Sequence, residues 1–278
     1  MEFGAAYINF RDQTISDLYP LKVKESKIEF NNLHFCLVNG NPISAASIGK
    51  NEYEIIYDTE TLLKSLLGDI ELYRAKVWIQ KETILNSKAQ NAPCWNYITN
   101  YYYSFYNAVL LTRFIKNGYM YFDDEKSNKL SKIIEALSGD LTQINSGNFE
   151  FKIRNLNNST SVLHLKKTGV RSHVAIWSKV NEVIKTLKNK SIKGAVEETT
   201  YKGLLAFNKK PTFHSDLRNA INYKPIYALE SLNKTIFENN FINIEDKEIV
   251  KEIIKKTTEI ESEHIKQKKS SLLGECIH

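Results

Sequence analysis

The chain has 278 residues, 42% of them hydrophobic and 25% charged, and Lys plus Arg outnumber Asp plus Glu by 38 to 32, for a net charge of +6. That balance excludes a disordered or low-complexity chain. The mild positive excess permits nucleic-acid contact without demanding it, because basic clusters are more often solvated surface. Cys36, Cys94 and Cys276 are odd in number and far apart, so neither a disulfide framework nor a CxxC pair is expected. Met1-Glu2-Phe3-Gly4-Ala5 does not open a signal peptide, and apolar runs break within about 10 residues, too short for a bilayer span. A cytoplasmic protein without membrane contact is the expectation.

Residues 1–57 read as a segment with short strands. Positions 27–30 alternate, 33–38 form a short apolar run, Asn39-Gly40-Asn41-Pro42 marks a turn, and 52–57 suit a further strand. A long helix starts at Asp58 or Thr59, either of which can cap it. Leu62, Leu63, Leu66, Leu67, Ile70, Tyr73, Val77 and Leu85 recur at helical spacing. It stops before Asn91-Ala92-Pro93, where the proline disfavours helix at the preceding residue. The next helix is rich in aromatics, from Trp95 through Tyr101, Phe105 and Tyr106 to Phe114, and Gly118 ends it. Aromatics on most faces suit an enclosed central helix, and a stacking platform for bases is the alternative.

A short helix follows over 126–138. The period then changes to two over 148–154 and 161–166, with Asn155-Leu156-Asn157-Asn158 between, which predicts a hairpin. Ser172 can cap a helix carrying Ile176, Trp177, Val183 and Leu187. Residues 189–212 are basic and weakly patterned and read as a loop or linker. A further helix starts at Thr212 or Ser215 and runs to about Asn239, with Pro225 as a kink. The last, over about 245–268, carries a narrow stripe of Ile249, Ile253, Ile254, Thr257, Ile260 and Ile265. Such a stripe covers a neighbour in its own chain or in a partner. The fold expected is mainly α: a helical bundle over 58–240 with a β-hairpin inserted near 148–166. A small β-containing N-terminal segment (1–57) precedes it, and a C-terminal amphipathic helix and tail (241–278) follow.

The six histidines (His34, His164, His173, His214, His264, His278) fit no HExxH, HxH or Cys/His spacing, and the chain lacks GxGxxG, GxxxxGK[ST] and GxSxG. No metal and no cofactor is expected. What remains is His214-Ser215-Asp216-Leu217-Arg218-Asn219-Ala220-Ile221-Asn222-Tyr223. On a helix, His214, Arg218 and Asn222 lie one turn apart along a common face, and Asn219 and Tyr223 form an adjacent pair. Arginine suits phosphate because its planar fork makes two parallel charge-assisted bonds. Pairing of Arg218 with a carboxylate such as Asp216 is the structural alternative.

Arg218-Asn219-Ala220-Ile221-Asn222-Tyr223 resembles a degenerate form of the Arg-Asn-x-x-x-His motif of HEPN-domain proteins. The aromatic-rich second helix and the hairpin between helical pairs look similar to larger HEPN-like proteins of bacterial genomes. The resemblance covers about residues 58–240. It implies a four-helix bundle core, frequent dimerisation, a role in antiviral (anti-phage) defence or toxin–antitoxin pairs, and often metal-independent RNA cleavage. Arg218 matches the motif arginine and Asn219 the polar residue after it, while Tyr223 stands where the histidine belongs. Tyrosine titrates near pH 10 and is a poor proton shuttle at pH 7. His214 or His173, which heads the helix of Trp177, are the candidate substitutes. Two functions are expected from this: an accessory or interaction subunit that binds a protein partner or a second copy, nucleic acid (RNA), or both, or a metal-independent endoribonuclease.

Overall fold

Five antiparallel strands in the order β1-β2-β5-β4-β3 carry the fold. The computed structural model describes residues 5–16, 18, 32–86, 93–139, 141–208 and 210–223. In chain order the elements are α1 (Ala5–Ile15), α2 (Leu33–Asn39), β1 (Ser44–Gly49), β2 (Glu52–Asp58), α3 (Thr59–Asn86), α4 (Pro93–Phe114), β3 (Asn117–Phe122), α5 (Asp124–Ser138), β4 (Gly147–Asn155), β5 (Thr160–Thr168), α6 (Ser172–Lys190), α7 (Val196–Phe207) and α8 (Phe213–Tyr223). Two units divide the chain: residues 1–79 with 102–212, and 80–101 with 213–278.

The sheet belongs to the first unit, and strand alternation builds its core. Tyr53, Ile55 and Tyr57 of β2 are buried, as are Phe149, Phe151 and Ile153 of β4 and Met120 and Phe122 of β3. The registers set Tyr53 opposite Leu165 and Ile55 opposite Leu163, and Phe151 and Ile153 face the same two leucines from the other side. One apolar face results. Leu33 and Leu37 of α2, Leu62 and Leu66 of α3, and Leu130 and Ile134 of α5 close over it. Each such side chain contributes about 1.5–3 kcal/mol by leaving water.

The mainly α bundle is therefore corrected to an α/β fold, with eight helices and a five-stranded antiparallel sheet among the described residues. The hairpin predicted near 148–166 exists as β4–β5, but it is the middle of the sheet and not an insertion between helices. β2, from the N-terminal segment, pairs with β5 across more than a hundred residues. Non-local pairing of that kind leaves no mark on local periodicity. β3 extends the sheet directly after α4, and Gly118 lies within it. The apolar run at 33–38 is a helix: Asn32 caps it by accepting from Phe35 N at 2.8 Å, and Leu33, Cys36 and Leu37 share its buried side. The supposed loop over 189–212 contains α7. The alternating run at 27–30, Pro225 and the striped C-terminal helix lie outside the described residues. Among the described residues no helix is long and apolar enough to cross a membrane.

Candidate functional site

The second unit holds α8, and with it four of the five candidate residues. Leu217 and Ile221, one turn apart, are buried and set the inward face of the helix. Asp216 is exposed in the first turn, where a carboxylate complements the positive helix end. Arg218 is half-buried, and its guanidinium lies over the Tyr101 ring, 5.7 Å from the centroid, as a cation–π contact. Tyr101 is itself buried. Asn219 is half-buried on the next position round the helix.

His214 shares a side with Arg218, one turn before it. Its ring meets Phe213 edge-on, with centroids 5.5 Å apart. Burial pushes the His214 pKa down to about 4, so at neutral pH the imidazole is uncharged. Tyr223 is 76% exposed at the end of α8. Five residues along an α-helix turn through about 140° relative to the start, so Tyr223 and Arg218 diverge. His173 belongs to the first unit as the second residue of α6, and its ring stacks on Phe105 at 4.1 Å with an interplanar angle of 19°. Ser172 does not cap that helix; the N-cap position is Arg171. No protein family, curated protein or solved structure matches the chain. Among the described residues no group of three or more His, Cys, Asp or Glu is arranged to hold a metal ion.

A second polar cluster, in the first unit, escaped the sequence reading. Asp69 of α3 and Arg113 of α4 form an ion pair, Nε to Oδ2 2.9 Å, with both side chains almost wholly buried. Asp69 Oδ1 accepts from Leu33 N at 3.3 Å, and Arg113 Nη2 donates to the Tyr119 carbonyl at 3.0 Å. The guanidinium lies over the Tyr73 and Phe151 rings at 5.4 and 4.7 Å from their centroids. α2, α3, α4, β3 and β4 thus meet at one charge pair. His34 stands close by, edge-on to Phe122, and burial lowers its pKa against the pull of Asp69. Closed off from water, this cluster is structural and offers no surface for a substrate. The available signal was one Asp and one Arg inside otherwise apolar helical stripes: Asp69 between Leu67 and Ile70, and Arg113 between Leu111 and Phe114. A buried charge is tolerated when paired, so two such interruptions on neighbouring helices call for each other.

Gly118 serves this pair. A Cβ there would lie 2.5 Å from Arg113 Nη1, 2.8 Å from Thr112 Oγ1 and 3.0 Å from Phe151. Gly118→Ala is expected to lower stability by about 1–3 kcal/mol through overpacking, read as a shift of the urea midpoint at unchanged slope.

Proposed function

We propose that the chain is a non-catalytic interaction subunit, of the bacterial defence type, that binds a protein partner and contacts RNA through Arg218. The observation that carries this reading is the state of His214. General acid–base cleavage near pH 7 needs a group that titrates near pH 7. The histidine one turn from Arg218 is held neutral to about pH 4 by burial, and the residue in the motif-histidine position is the exposed Tyr223. Arg218 keeps a permanent charge and a planar set of donors, which suits phosphate. Trp95 and Tyr223 of the second unit are 67% and 76% exposed, and aromatics of these types anchor protein interfaces. The defence setting rests on the Arg218-Asn219 motif resemblance.

The test is incubation of the full chain with RNA in EDTA, beside Arg218→Ala. RNA is expected to stay intact in both samples, with binding weakened about tenfold by the substitution at low salt. Cleavage by the wild-type chain that Arg218→Ala abolishes would overturn the proposal in favour of a metal-independent endoribonuclease. Monomeric purification from the native host without any co-purifying protein would remove the partner half of the reading.

A further inference from the structure

The turn between α6 and α7 carries an unusual surface. Ile192 is 77% exposed and Val196 84% exposed, and Leu204, two further turns along α7, is 42% exposed. Thr200 lies between them and is exposed as well. The four positions are spaced by four residues, so from Val196 onward they follow one side of α7. Gly194, at φ +82°, makes the turn, and its N–H donates to Glu198 Oε2 at 2.7 Å, which fixes the presentation of the two aliphatic side chains.

The rim of this surface is basic. Lys190 and Lys193 are exposed within two residues of Ile192, and neither has an ion-pair partner among the described residues, whereas the half-exposed Lys188 acts on the Glu198 carboxylate. The nearby carboxylates are turned inward: Glu197 accepts from Tyr7 N and from the Tyr201 hydroxyl, and Glu198 is held by Gly194 N and Lys202. Lys188 and Lys190 also complement the carbonyl end of α6, but Lys193 lies beyond that helix.

An uncompensated cationic rim around exposed aliphatic side chains selects the occupant. RNA would use the lysines and leave the aliphatics in water. A stable protein interface needs about 800 Å² per partner, more than three aliphatic side chains on a turn supply. An anionic bilayer uses both features, with aliphatic groups in the headgroup layer and ammonium groups on lipid phosphates. We propose that Ile192, Val196 and Leu204, with Lys190 and Lys193, form a docking surface for an anionic lipid bilayer. Peripheral contact of this kind needs no spanning helix, so it departs from the expectation of no membrane contact, which rested on the lack of one.

Co-sedimentation of the full chain tests this with two vesicle types, phosphatidylcholine alone and phosphatidylcholine with about one third phosphatidylglycerol. Binding to the anionic vesicles only is expected. Ile192→Ser/Val196→Ser and Lys190→Glu/Lys193→Glu should each lower partitioning at least about tenfold, with melting temperatures unchanged because all four side chains are at the surface. No partitioning onto anionic vesicles overturns the proposal. So does full retention by the serine variant, which would leave an unspecific charge effect. If the lysine variant loses RNA binding while vesicles never bind the wild type, the surface belongs to nucleic acid and the proposal falls.

Discussion

Asp69→Leu, with Arg113 left in place, is expected to destabilise the first unit by about 3–5 kcal/mol, because it strands a buried guanidinium. Both residues are at most 2% exposed, and Asp69 is the acceptor for Arg113 Nε and for Leu33 N together. Removing the carboxylate therefore costs the ion pair and the tie between α2 and α3. Arg113→Met should cost a comparable amount, since it leaves the carboxylate buried. The double variant Asp69→Leu/Arg113→Met should recover most of the loss, because apolar replacement of a whole buried pair is often neutral or better. Urea denaturation of the four proteins measures this cycle. A loss below about 1 kcal/mol in either single variant would mean that water reaches the pair, as at exposed ion pairs.

The second large effect is pH-dependent and centres on His214. The folded state holds this imidazole at a pKa of about 4 against 6.5 for the free side chain. Above pH 6.5 both states are neutral and the group is silent. As pH falls below 6.5 the unfolded chain takes up a proton that the folded chain refuses, so stability drops, and the drop is complete only once pH passes the folded value. The expected loss is roughly 3 kcal/mol by pH 4. Carboxylates add their own losses in acid, so the comparison is with His214→Gln, whose stability should fall less steeply between pH 6.5 and pH 4. Identical slopes for the two proteins would show that His214 is solvated.

The elements were legible where local chemistry decides them. Asp58 or Thr59 announced the start of α3, and alternation over 148–154 and 161–166 gave β4 and β5. β1, Ser-Ala-Ala-Ser-Ile-Gly, carries no alternation strong enough to read, and it becomes a strand because β2 offers it hydrogen bonds. α7 was hidden because its outward side carries Val196 and Leu204 where a solvated helix would place charge. The sheet itself was illegible: pairing of β2 with β5 depends on loop closure over a long stretch of chain, and residue order records no such contact. At α8 the helix and its arginine were legible. That the half-buried His214 ring is desolvated and neutral was not, because desolvation depends on what packs around the ring. The Asp69–Arg113 pair needed the two helices side by side before its partners could be matched.

The most direct test of the non-catalytic reading is an NMR titration of the His214 imidazole in the full chain, with His214→Gln used to assign the resonance. A midpoint near pH 4, with the ring neutral throughout the range around pH 7, is the predicted result. A midpoint between about 6 and 7 would contradict it, because a proton carrier suited to cleavage at neutral pH would then stand one turn from Arg218.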